Sequence, residues 1–79
     1  MSRNEIENYL AEIISEELGI EIGSIDTKSS FHELGLDSIN SMFLLEKVEN
    51  KYQLSLTPLY FWDYPSIEAF SELVAAKIK

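Results

Sequence analysis

Cysteine is absent from the chain, so no disulfide framework, thiolate metal site or thiol nucleophile can come from its own residues. Histidine occurs once, at His32, which leaves no histidine cluster for a metal, and no segment matches the acidic calcium loop with its central glycine. The three glycines, Gly19, Gly23 and Gly35, are too scattered for a phosphate-cradling loop and read as helix stops and turns. No apolar run approaches the ~20 residues of a membrane span, and the N-terminal "MSRNEIENYL" lacks the apolar centre of a signal peptide. Basic residues are scarce as well. Six Lys and Arg against fourteen Asp and Glu give a net charge of −8, which disfavours nucleic acid and anionic membranes and favours partners with basic patches. A cytoplasmic protein with neither nucleic acid nor membrane among its partners is the default expectation.

What is present suits a compact fold. Hydrophobic residues make up 46% of the 79 positions and charged residues 25%, values of a globular protein rather than a disordered one. At this size folding buries roughly 60% of the surface of the unfolded chain, so a single domain over 1–79 with a small core is expected.

Apolar periodicity places the elements. In "SRNEIENYLAEIISEELG", Ile6, Leu10, Ile13, Ile14 and Leu18 recur at helical spacing, with Ser2 and Glu5 at capping-box spacing and Gly19 as the stop. The following "IEIGSIDTKSSFHELGLD" has no sustained period. Its Ile20, Ile22, Ile25, Phe31, Leu34 and Leu36 are nevertheless too apolar for a free linker, which predicts a long first loop lying on the core. Within that loop Ser30 and Glu33 form a second capping pattern, and Gly35 is placed to end a single helical turn. From Ser38 to Tyr52, at roughly 100° per residue, Leu44, Leu45, Val48 and Tyr52 share one face with Met42 at its edge. Ile39 and Phe43 fall on the opposite side, in line with Glu46 and Asn50.

"QLSLTPLYFWDYPS" holds both prolines of the chain, Pro58 suited to begin a short turn and Pro65 to interrupt a helix. Phe61, Trp62 and Tyr64 are expected to close the core beneath that short helix, with Tyr60 partly exposed. Ser66 then caps a last helix whose buried face carries Ile67, Phe70, Leu73, Val74 and Ile78. The sum is an all-α fold: a small four-helix bundle of three longer helices and a short third one, behind a long structured loop, with one further short turn possible in that loop.

The chemistry centres on "LGLDSIN". A catalytic serine needs a base and oxyanion donors. The sole histidine lies six residues upstream in the loop, however, and "GLDSI" is not a nucleophile elbow, so a serine hydrolase is disfavoured and His32 reads as a surface residue. Asp37 or Ser38 as a plain helix cap accounts for the pair alone. It does not account for Ile39 and Phe43 facing outward just beyond the cap.

"ELGLDSINSMFLLEKVENKY" followed by "LTPLYFWDYPSIEAFSELV" resembles the carrier protein family, the acyl carrier proteins and peptidyl carrier domains, over essentially the whole chain. Its most specific elements are "LGLDSI" and "FWDYPSIEAF". The resemblance implies that Ser38 receives a 4'-phosphopantetheine arm from coenzyme A and that Asp37 helps present it to a phosphopantetheinyl transferase, which brings the base and a magnesium ion. A phosphodiester at a helix N-terminus agrees with the field there. It further implies that the chain catalyses nothing itself and holds acyl or aminoacyl groups as thioesters on an imported sulfur. Its partners would be a loading enzyme, a ketosynthase or condensation-type enzyme, and a thioesterase, and the carrier itself would be a monomer.

Ile39 matches the apolar residue after the modified serine and resembles a partner-enzyme contact, with Phe43 and Glu46 beside it. Phe43 departs from the acidic or polar residue often found at its position, so a homodimer contact or a fold back onto the first loop stays open for it. Glu46, Lys47, Glu49 and Lys51 give the second long helix mixed charge where carriers of fatty acid synthesis are strongly acidic. Together with "FWDYPSI" this favours polyketide or nonribosomal peptide biosynthesis, with primary fatty acid synthesis next. From another class, a non-catalytic interaction module would use the Ile39 and Phe43 patch with Ser38 as a mere cap.

Overall fold

The computed structural model describes residues 3–78, so the cap expected at Ser2 lies outside the described residues. Five α-helices follow in order: α1 Arg3–Leu18, α2 Phe31–Leu34, α3 Ser38–Tyr52, α4 Tyr60–Asp63 and α5 Ile67–Ile78, with a 3-10 turn at Ile22–Ser24. Among the described residues no strand forms. One isolated antiparallel bridge pairs Ser30 with Ser66. The three longer helices and the single turn α2 between Ser30 and Gly35 are those of the sequence reading; the 3-10 turn at Ile22–Ser24 is an addition to it.

The helical spacing becomes a core. Ile6, Leu10 and Ile14 of α1, Leu44 and Val48 of α3, and Ile67, Phe70 and Val74 of α5 are completely buried. α1 is the shared wall, packed mainly against α5 and also against α3. It ends where Gly19 takes a φ of 66°, a left-handed conformation that glycine adopts without a Cβ penalty.

The first loop only partly follows expectation. Phe31 and Leu36 are buried, and Ile25 and Leu34 pack against the core. Ile20 and Ile22 do not. Both are exposed; at Ile20 the backbone is committed elsewhere, its amide donating to the Ser15 carbonyl at 3.2 Å and its carbonyl accepting from Ser15 Oγ at 2.7 Å, which holds it as the end of α1, while Ile22 opens the 3-10 turn.

A clasp ties the loop to α5. The amide of Phe31 donates to the Pro65 carbonyl at 2.7 Å, and that of Glu68 to the Thr27 carbonyl at 2.9 Å. Around it three phenylalanines lock α2, α4 and α5 together. Phe61 stacks on Phe70 at 5.1 Å and 6°, and Phe31 meets both rings edge-on, at 5.3 Å from Phe61 and 5.8 Å from Phe70. α4 is a single turn, too short to persist alone. This contact is what places it.

Candidate functional site at the start of α3

The segment between α2 and α3 is fixed from both sides. Ser30 caps α2 in a reciprocal box: the Glu33 amide donates to Ser30 Oγ at 3.0 Å and the Ser30 amide to Glu33 Oε1 at 2.9 Å. Gly35 ends that turn with φ 102°, its amide reaching the carbonyls of His32 and Phe31. Leu36 then turns inward, its amide donating to the Phe31 carbonyl at 3.0 Å. Asp37 is the N-cap of α3, with Oδ1 accepting from the Asn40 amide at 2.8 Å. Asn40 also donates from Nδ2 to Glu17 Oε2 at 3.3 Å, which ties the first turn of α3 to α1.

Ser38 is therefore exposed on a backbone that has little freedom. Of the first amides of α3, that of Asn40 goes to the Asp37 side chain and that of Ser41 to the Asp37 carbonyl at 2.9 Å. Among the described residues those of Ser38 and Ile39 have no hydrogen-bond partner, and they lie at the positive end of a 15-residue helix. The arrangement suits an anion held on the serine oxygen. Among the described residues no basic side chain is hydrogen-bonded to Ser38, and the His32 side chain is exposed on α2.

Beside Ser38 opens a cleft of about 540 Å³, between the start of α3 and the α2 and α4 turns. Met42, one turn along α3, forms part of one side, and Pro58, Phe61 and Trp62 part of the other. Trp62 corrects the sequence reading. It was expected to close the core with Phe61 and Tyr64, yet it is 84% exposed. A one-turn helix offers one inward slot at this point, and Phe61 fills it against Phe70. Trp62, about 100° further round, is directed to the rim of the cleft. Tyr64 and Tyr60 stay half-buried, in edge contact with each other at 6.1 Å.

The other candidate residues share the outer side of α3. Ile39 is 73% exposed, and Phe43 is 51% exposed and does not pack on the core, so it is not folded away beneath the first loop. Glu46 is exposed further along the same helix. Among the described residues no group of acidic or histidine side chains could hold a metal ion.

Known proteins share this frame. The profile of the family described as "Phosphopantetheine attachment site" matches residues 8–74. The chain belongs to that family. Its prosthetic group is phosphopantetheine, and the exposed hydroxyl, the two open amides and the adjoining cleft are compatible with a phosphodiester-linked arm at the start of α3.

Among curated relatives, polyketide synthase 2 of Metarhizium anisopliae is 35% identical over 65 residues, 82% of this chain and 3% of that protein. Malformin synthetase mlfA of Aspergillus sclerotiicarbonarius is 41% identical over 63 residues, 80% of this chain and 1% of that protein. The chain thus corresponds to a small part of each of these relatives. A free-standing peptidyl carrier protein from an Acinetobacter baumannii secondary metabolic pathway superposes with a TM-score of 0.93 at 27% identity, covering 99% of this chain and 98% of that one. An acyl carrier domain of the CurA module from Lyngbya majuscula gives 0.88 at 28% identity, covering 98% and 78%. The all-helical carrier fold is therefore that of this chain.

Proposed function

We propose that residues 1–79 act as one carrier unit in polyketide or nonribosomal peptide biosynthesis, with Ser38 as the attachment point of 4'-phosphopantetheine. The observation that carries this is Ser38 itself, an exposed hydroxyl held by the Asp37 cap and buried Leu36 at the start of α3, with two open amides beside it. Its oxygen would displace adenosine bisphosphate from coenzyme A, the proton passing to a base of the transferase. The open amides of Ser38 and Ile39 and the helix dipole then stabilise the phosphodiester charge. When bound, the arm supplies a thiol on which acyl or aminoacyl groups travel as thioesters. The chain's own part is to present, not to catalyse.

Asp37 fixes the first turn and presents Ser38 to the transferase. Ile39 and Phe43 offer an apolar contact to loading, condensing and releasing enzymes, and Glu46 lies along the same helix. The net charge of −8 guides basic partner surfaces toward it. The relatives that are polyketide and peptide synthases support this pathway over fatty acid synthesis.

The test is the intact mass of the protein before and after incubation with coenzyme A, magnesium and a promiscuous phosphopantetheinyl transferase. Wild type gains one phosphopantetheine, or already carries it, and Ser38→Ala does neither. An unmodified wild type beside a modified control carrier would sink the assignment and leave a plain interaction module.

A further inference from the structure

Glu17 stands where its own helix disfavours it. It lies in the last turn of α1, a turn with no basic residue, at the negative end of that helix's dipole. A tertiary contact accounts for it: Asn40 Nδ2 donates to Glu17 Oε2 at 3.3 Å, both side chains being half-buried. With Glu17 beside Asn40 at one end and Tyr9 beside Tyr52 at the other, α3 runs antiparallel to α1, which brings the carboxylate to the positive end of α3. The end of α1 is itself fixed by the two Ser15–Ile20 bonds that span Glu17. Further along, the seam between α1 and α3 opens into a hollow lined by Ile13, Glu16, Glu17 and Lys47, so this bond closes the end of the seam nearest Ser38.

Asn40 joins two structures. Its backbone amide donates to Asp37 Oδ1 and closes the cap around Ser38, while its side chain reaches α1. Resting on the assignment of Ser38 as the attachment point, we propose that Glu17 is a positioning residue for the modification of Ser38. It acts through Asn40. The Asp37 cap orders the turn internally, and the bond to Glu17 sets where the ordered turn stands relative to α1. Without that bond the turn samples further positions, so the carrier's apparent affinity for the transferase falls with the fraction of time the turn is correctly placed, while the step at saturating carrier is unchanged. At 3.3 Å the bond is long for a charge-assisted one, so its effect is that of an ordinary net hydrogen bond, roughly 3- to 10-fold.

Steady-state kinetics of arm transfer to the arm-free protein, with coenzyme A, magnesium and a promiscuous phosphopantetheinyl transferase, test this at a temperature where circular dichroism shows every variant folded. Glu17→Ala should raise the KM for the carrier roughly 3- to 10-fold with kcat retained. Glu17→Gln, which keeps an acceptor oxygen and loses the charge, should recover most of that loss. In an Asn40→Ala background, Glu17→Ala should have no further effect, because the bond is already gone. Glu16→Gln removes the neighbouring exposed charge and should leave KM as in wild type. A Glu17→Ala variant with unchanged KM, a Glu17→Gln variant as poor as Glu17→Ala, a Glu16→Gln variant as poor as either, or losses at Glu17 and Asn40 that add would each overturn the positioning role and leave the attachment assignment standing. A wild type that gains no mass beside a modified control carrier overturns the attachment assignment and this inference with it.

Discussion

Replacing Gly35 by alanine separates backbone strain from crowding, because only the first is present there. Gly35 sits at φ 102° and ψ 10°, well away from the left-handed minimum near roughly +57° and +47° that other residues tolerate. A Cβ added at this position would meet only Leu18 Cδ1, at 3.9 Å, an ordinary contact. The cost is therefore conformational, about 1–3 kcal/mol for a non-glycine residue held in such a region. Alanine also narrows the unfolded ensemble, which offsets about 0.4–1 kcal/mol, so the net loss should be about 1–2 kcal/mol. For a domain of this size that is a fall in Tm of about 5–15 °C. Gly23→Ala is the control, since its φ is not in the left-handed region and a Cβ there meets nothing within 4 Å. It should be neutral or stabilise by up to about 1 kcal/mol. Urea unfolding followed by circular dichroism gives both values. Because Gly35 leads directly into Leu36, Asp37 and Ser38, the strained variant should also accept phosphopantetheine more slowly than the control. A Gly35→Ala midpoint at or above that of Gly23→Ala would refute the reasoning.

Asp37→Ala removes the 2.8 Å cap of α3 and should cost about 1 kcal/mol while slowing the transferase; Asp37→Ser, which retains a capping oxygen, should recover stability, and any deficit in modification rate that persists isolates the carboxylate's part in recognition. Ser71 is completely buried in α5 and its Oγ has no hydrogen-bond partner among the described residues, so Ser71→Ala should raise stability by about 1 kcal/mol in urea unfolding, and a lower midpoint would count against the unpaired hydroxyl. Tyr9 and Tyr52 both have phenols pushed above the ordinary 10.0, each first by burial, then Tyr9 by Glu12 and Glu16 and Tyr52 by Tyr9 and Glu5. Unfolded phenols then lose their protons first, so stability is full below about pH 10 and falls as the pH rises from there; Tyr52→Phe should flatten that alkaline slope in urea midpoints.

The three long helices were legible because each buries one stripe of a repeating pattern, and Ile6, Leu10, Leu44, Val48, Phe70 and Val74 all lie where their spacing placed them. So was the start of α3, where Asp37 caps and Ser38 follows, since capping chemistry is local. The clasp between the first loop and α5 was not. Its bonds join Phe31 to Pro65 and Thr27 to Glu68 through backbone groups, and backbone donors and acceptors are the same at every residue. Ile20 and Ile22 misled for a related reason. Their apolar side chains suggested burial, while the Ser15 bonds set the backbone at Ile20 and the 3-10 turn took up Ile22. Trp62 misled because a cluster of aromatics in one turn has no periodicity from which to choose the inward ring.

That choice links stability to the site. α4 makes one turn and cannot hold its own position, so Trp62 stands at the rim only because Phe61 is stacked between Phe31 and Phe70. The same rings hold α2, whose Gly35 end delivers Leu36 into the core and Asp37 to the cap. A substitution at Phe70 therefore acts on both sides of the cleft at once: it removes the surface that seats α4 and the edge contact that seats α2. Ser38 depends less on this cluster, since the Asp37 cap and the Asn40 bond to Glu17 tie its turn to α3 and α1. Ser38 and the cleft wall thus rest on separate contacts. Loosening the phenylalanine cluster should disturb the cleft wall before it disturbs the turn that carries Ser38.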